Sequence, residues 1–209
     1  MFGVLVFAPN EVKAQPVSDR AVIPVAITLN QVLRLNITNG GNIEFVFNQI
    51  GQYTSGINAG GTGSNAPFYT TEFDIASSTR WELDLGAEDP IPCGCLQGTD
   101  NPANQLALDN VGLQLFVVVG ASHTIGVELL DASGAFATTI GLPAYPPALP
   151  IIGAGSVSNA GDETDNNFTI VWRAGTAEPG MNPLTLINQV PTPEPDRYVV
   201  NVLLDLEKF

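Results

Sequence analysis

Between Ile23 and Ile37 apolar side chains recur at every second position. Ile23, Val25, Ile27, Leu29, Leu33, Leu35 and Ile37 share one phase, broken only by Gln31, while Thr28, Asn30, Arg34, Asn36 and Thr38 occupy the other. A period of two is the signature of a half-buried strand. The run would extend about 50 Å at ~3.3 Å per residue, long for one strand, so the pattern predicts a bend or break near Gln31. Asn39-Gly40-Gly41-Asn42 supplies the positive φ angles of a hairpin turn, and Ile43, Phe45 and Phe47 are predicted to form the returning strand.

The same alternation recurs downstream. Tyr69, Thr71, Phe73 and Ile75 are in phase, as are Trp81, Leu83 and Leu85 against Glu82 and Asp84. Val111–Val119 is almost continuously apolar and is predicted to be a central strand covered on both faces. Thr124–Leu130 and Phe136–Ile140 flank a turn at Asp131-Ala132-Ser133-Gly134. Phe168, Ile170 and Trp172 continue the pattern, and Tyr198, Val200, Val202, Leu204 and Leu206 close it as one final strand. Gln49–Pro67 is polar and Gly-rich and reads as a surface loop. Pro143–Pro150, with four prolines, reads as a rigid connection or edge segment. No helix of three turns is predicted. The expected fold is therefore all-β: an antiparallel β-sandwich, jelly-roll-like, of roughly nine to ten strands with little helix.

Composition narrows the function classes. The chain has 209 residues, of which 44% are hydrophobic and 13% charged, enough for a substantial core. Its 21 acidic residues outnumber 7 basic ones, for a formal net charge of −14. No basic patch offsets that balance, which argues against nucleic-acid binding and against anionic membrane surfaces. Phe2–Pro9 is apolar and Val12-Lys13-Ala14 precedes Gln15, so residues 1–14 are expected to be a signal peptide or an N-terminal arm. Residues 15–209 are then a single β-sandwich domain. No segment approaches the roughly 18 apolar residues of a membrane span. The expected location is secreted, extracellular or at the cell surface.

Candidate chemistry is sparse, and the protein is not expected to be an enzyme. The single histidine, His123, follows Ser122, and neighbours on a strand point to opposite faces, which argues against a catalytic dyad. Glu72, Asp74, Glu82 and Asp84 lie on neighbouring predicted strands, where a cleft could join two of them as a glycosidase pair, although solubility alone also produces such alternation. Asp162, Glu163, Asp165 and Asn166 crowd one loop and form the candidate calcium site; Asp100, Asn101, Asp109 and Asn110 offer a second set of oxygen ligands. Turns stabilised by Asx side chains are the ordinary reading of both clusters. No other cofactor is expected. Cys93 and Cys95, one residue apart, are candidates for a local or intermolecular disulfide, with a metal site as the alternative. For a glycan partner the exposed platforms would be Tyr53, Tyr69 and Tyr145, since Trp81 and Trp172 are in phase with core positions.

The two ends of the chain carry a resemblance. A secretion-like leader before the long first strand, and a closing strand entered as Asp196-Arg197-Tyr198-Val199-Val200-Asn201-Val202, resemble exported bacterial coat, pilin and surface-layer subunits. The resemblance implies a structural subunit that assembles with copies of itself, as a filament, coat or surface layer, by strand exchange or edge pairing. The assembly strand would be Ile23, Val25, Ile27 and Leu29. The alternative is a secreted module that binds glycan or calcium.

Overall fold

The computed structural model describes residues 23–58, 69–89, 92–117, 124–125, 139–146, 149–153 and 158–208. The readings made of residues 1–14, of His123 and of the Asp131–Gly134 turn lie outside these. The chain divides into two units, Met1–Asn30 and Gln31–Phe209. In the first, the described residues 23–30 are exposed and belong to no strand. The predicted break near Gln31 is therefore where regular structure begins, and the strand that was expected to start at Ile23 starts at Leu33.

In chain order the elements of the second unit are β1 (Leu33–Asn39), the short helix α1 (Ile50–Ser55), β2 (Thr70–Ser77), β3 (Trp81–Glu88), β4 (Cys95–Gly98), β5 (Gln105–Ala107), β6 (Val111–Val117), β7 (Thr124–Ile125), β8 (Ile140–Gly141), β9 (Ala144–Tyr145), β10 (Leu149–Gly153), β11 (Asn167–Ala174), β12 (Tyr198–Val199) and β13 (Val202–Lys208). They form an all-β, sandwich-like fold. One sheet runs β1-β2-β11-β6-β8, a second runs β13-β3-β10-β7 with β9 beside β3, and a third small sheet runs β12-β4-β5. Every pairing is antiparallel except β3 with β9.

The alternation explains the core. Along β11 every second residue is buried, placing Phe168, Ile170 and Trp172 on the inner face. Phe73 and Ile75 of β2 and Leu113 and Leu115 of β6 join them from the same sheet. Trp81, Leu83 and Leu85 of β3 and Ile151 and Ile152 of β10 face them from the second. Phe168 stands at the centre: its ring stacks on Phe73 at 5.3 Å and meets Trp81 edge-on at 6.0 Å. Both separations are favourable aromatic geometries.

Four expectations are corrected by pairing that no local pattern encodes. After β1 the chain does not fold back as a hairpin; β1 pairs with β2 instead. Gly40 (φ +67°) turns the chain away, and a Cβ there would lie 1.8 Å from the Thr70 carbonyl oxygen, so only glycine fits. Residues 42–48 keep alternating burial without joining a strand. The strand at 111 is one-sided, because Phe116 is 39% exposed while Leu113 and Leu115 are buried. Pro150 is inside the second sheet rather than at its edge, accommodated by a register shift between Pro150 and Ile152. The closing strand is two strands: β12 pairs with β4, and β13 pairs with β3. No helix among the described residues is long and apolar enough to cross a membrane.

Candidate functional site

The break in the closing strand lies beside an apolar concavity. Between β12 and β13 the chain passes through Val200 and Asn201 as it changes sheets. Beside it lies a cleft of about 600 Å³, lined by residues 42–47, by residues 193–200 and by Leu96, Leu106, Val111 and Trp172. Ile43, Phe45 and Phe47 are half-buried, whereas Glu44 and Val46 are exposed. Phe45 rests on Tyr69 at 4.3 Å and Phe47 on Tyr53 at 5.4 Å, which anchors the segment at two points. Among the described residues the backbone of 42–47 makes one hydrogen bond, from the Tyr53 hydroxyl to the Phe47 carbonyl at 3.4 Å. The burial alternates as in a strand, with no strand partner among the described residues.

The cleft is apolar inside and charged at its rim. Arg197 donates to Glu44 at 3.0 Å, linking the two walls. Trp172 is 6% exposed and its indole N–H donates to the Thr71 hydroxyl at 2.9 Å. The Tyr198 hydroxyl donates to the Glu194 carbonyl at 2.7 Å. Burial, then the carboxylates of Asp196 and Glu194, push the Tyr198 phenol above its ordinary value. Asp196 itself is a hub: its carboxylate accepts from the backbone N–H groups of Asp100, Asn101 and Arg197 and from the Asn104 amide. The Asp100 N–H is the largest of the causes that hold Asp196 down at about 2. The loop passes so closely that a Cβ at Gly98 would fall 2.2 Å from the Asp196 carboxylate.

The residues singled out by sequence do not share this cleft. Ile23, Val25, Ile27 and Leu29 lie in the first unit, 81–89% exposed. In the Asp162–Asn166 turn, the Asp162 carboxylate accepts from the Thr164 hydroxyl at 2.6 Å and from its N–H at 2.8 Å, and the hydroxyl bond is the chief cause of its lowered pKa. Glu163 turns away to Arg34 at 2.7 Å, and the buried Asn166 amide donates to the Asp162 carbonyl. Asp109 accepts from Asn182, and Asn110 from Gln189, so these two face a different loop from Asp100 and Asn101. Among the described residues no three His, Cys, Asp or Glu side chains gather as a metal site. Cys93 and Cys95 are joined to each other in a disulfide. The Asp89 carboxylate accepts from the N–H groups of Cys93 and Gly94, fixing the small ring at the mouth of β4. Tyr69 is buried, and Tyr53 and Tyr145 are half-buried, so the three tyrosines form no common exposed platform.

The carboxylates of β2 and those of β3 are separated by the sandwich itself. Phe73 and Ile75 face inward on β2, so Glu72 and Asp74 point outward from the first sheet. Trp81, Leu83 and Leu85 face inward on β3, so Glu82 and Asp84 point outward from the second. The two pairs occupy opposite outer faces, so no cleft joins a carboxylate of β2 to one of β3. Register instead sets Asp84 opposite Asp205 and Glu82 opposite Glu207 across β3 and β13. Burial, then Glu82, Glu207 and Asp205, raise the Asp84 pKa above 3.8. Like charges directly opposed across strands are destabilising.

A measurable pH dependence follows. A carboxyl whose folded pKa is raised binds protons more tightly in the folded state, so its contribution is fully present below 3.8 and is lost as pH rises through the raised value. Asp84→Asn is expected to stabilise the protein at pH 7, by about 0.2–1 kcal/mol for each relieved opposition, toward the low end because solvent screens this face. Thermal unfolding from pH 7 to pH 4 should show the gain shrinking as the parent protonates. An equal gain at both pH values would refute the repulsion.

No protein-family model matches this chain, and no curated protein sequence matches it.

Proposed function

We propose that this protein is an exported structural or surface subunit that assembles with copies of itself by β-strand addition, with residues 23–29 as the donated strand. The observation that carries this reading is the exposure of Ile23, Val25, Ile27 and Leu29, at 81–89%, in a segment with strand periodicity and no strand pairing. A continuous line of exposed aliphatic side chains is the kind of apolar surface that marks an interaction site. Donated to another copy, its backbone gains ladder hydrogen bonds and its alternate side chains gain burial. Pro24 lacks an N–H and sits at the start of the segment, where a strand tolerates it.

Two further features support the reading. β1 and β13 are the outermost described strands at one end of their sheets, each with one edge that no described strand pairs. Ile37 of β1 and Leu203 of β13 are also 40% and 38% exposed. The test compares the full chain with a variant lacking residues 15–27, using negative-stain electron microscopy, light scattering and thermal unfolding. The full chain should form polymers and the deletion variant should remain a folded monomer. Dispersed full-length monomers, or a deletion variant that no longer folds, would overturn the donor role.

A further inference from the structure

We infer that the cleft between residues 42–47 and residues 193–200 is the acceptor groove for residues 23–29 of a second copy of this chain. The inference rests on the strand-addition reading and names its receiving surface.

Three observations select this occupant. The first is backbone chemistry. Residues 42–47 alternate in burial at Ile43, Phe45 and Phe47, yet no described strand pairs with them. Backbone N–H and C=O groups without a ladder partner among the described residues, beside an apolar trough, call for a ligand with a complementary row of peptide groups, which a lipid chain or a sugar ring lacks. The second is length and volume. Both 42–47 and 23–29 extend about 20 Å at ~3.3 Å per residue. The cleft of about 600 Å³ is closed below by Leu96 and Trp172, both buried, and flanked by Leu106 and Val200, both half-buried. It can receive one row of aliphatic side chains while the other row, Ala26 and Thr28, remains outside.

The third is charge. Ile23–Asn30 carries none, in keeping with an apolar trough, and it follows Arg20 in sequence, one of only seven basic residues. The rim carries Glu44, Glu194 and Asp196. In a chain of net charge −14, two copies repel, and placing Arg20, just before the donor, near rim carboxylates reduces that repulsion locally.

The test uses full-length chains carrying one lesion each. Ile27→Asp disables the donor; Val200→Lys, or Leu106→Lys as an independent second choice, disables the groove. Each must first show the parent's cooperative thermal unfolding, and whichever groove variant folds is used. Alone, each should self-associate at least tenfold more weakly than the parent by light scattering. Mixed, they should form a 1:1 heterodimer that grows no further, because only one intact donor and one intact groove remain. Cysteines at Ala26→Cys in one copy and Val46→Cys in the other, on the outward faces of the two segments, should cross-link between chains under oxidation. The described cysteines, Cys93 and Cys95, are already paired, so they do not compete. Folded groove variants that assemble like the parent would overturn the groove while leaving the donor reading intact. An Ile27→Asp chain that assembles normally would overturn both.

Discussion

Phe168→Ala should lower the stability of the folded unit by about 3–5 kcal/mol, among the largest effects a single core truncation produces. Phe168 is fully buried near the start of β11, the strand flanked by β2 and β6 in the first sheet. Its ring is the contact through which that sheet meets both Phe73 beside it and Trp81 across the sandwich. Truncation removes the transfer energy of the ring and leaves a cavity between two sheets whose backbones are held by ladder hydrogen bonds and collapse only partly. Phe116→Ala, one strand away, is the internal control. Phe116 faces outward and is 39% exposed, so its loss should cost much less. Urea unfolding followed by tryptophan fluorescence measures both; similar midpoints for the two variants would show that the sheets do not meet at Phe168.

The contrast between Phe168 and Phe116 also shows how far the sequence is legible. A period of two identifies strands and their inner faces, and it does so correctly for β2, β3 and β11, because burial on one side of a pleated strand is a local property of the chain. It does not identify partners. Residues 43–47 carry the same alternation as β11 and pair with no described strand; Gly40 redirects the chain, and β1 pairs with β2. The opposition of Asp84 and Asp205 was equally hidden, because register between strands far apart in sequence is set by the whole sheet. The alternation of Ile23, Val25, Ile27 and Leu29 was legible because its signal is contiguous. The cleft was not: residues 42–47, Leu96, Leu106, Trp172 and 193–200 come from separate parts of the chain, and none carries a motif. Its only sequence trace is Asn201, the polar residue where the closing alternation divides between two sheets.

A single side chain holds the beginning of β3, and its replacement should be nearly as damaging as the loss of Phe168. Asn159 is 1% exposed; its amide oxygen accepts from the Trp81 N–H at 3.0 Å and its amide nitrogen donates to the Trp81 carbonyl at 2.9 Å. The Asn159 carbonyl in turn accepts from the Trp81 indole at 2.8 Å. Asn159→Leu keeps the size of the side chain but strips both amide bonds in a place water does not reach. Each abandoned buried peptide group costs about 1–3 kcal/mol, so a loss of about 2–4 kcal/mol is expected. Asn159→Asp separates hydrogen bonding from packing. An ionised carboxylate can still accept from the Trp81 N–H, but it sets its second oxygen against the Trp81 carbonyl, and burial adds to the penalty on charge. The folded pKa of that aspartate must then rise above its ordinary ~3.9. The stability it contributes is present at low pH, where the acid can donate as the amide does, and is lost as pH rises through the raised value. Asn159→Asp should therefore approach the parent's melting temperature near pH 4 and fall well below it at pH 7, while Asn159→Leu stays low at both. Parallel pH profiles for the two variants would mean that packing, and not the paired amide, holds Trp81 in place.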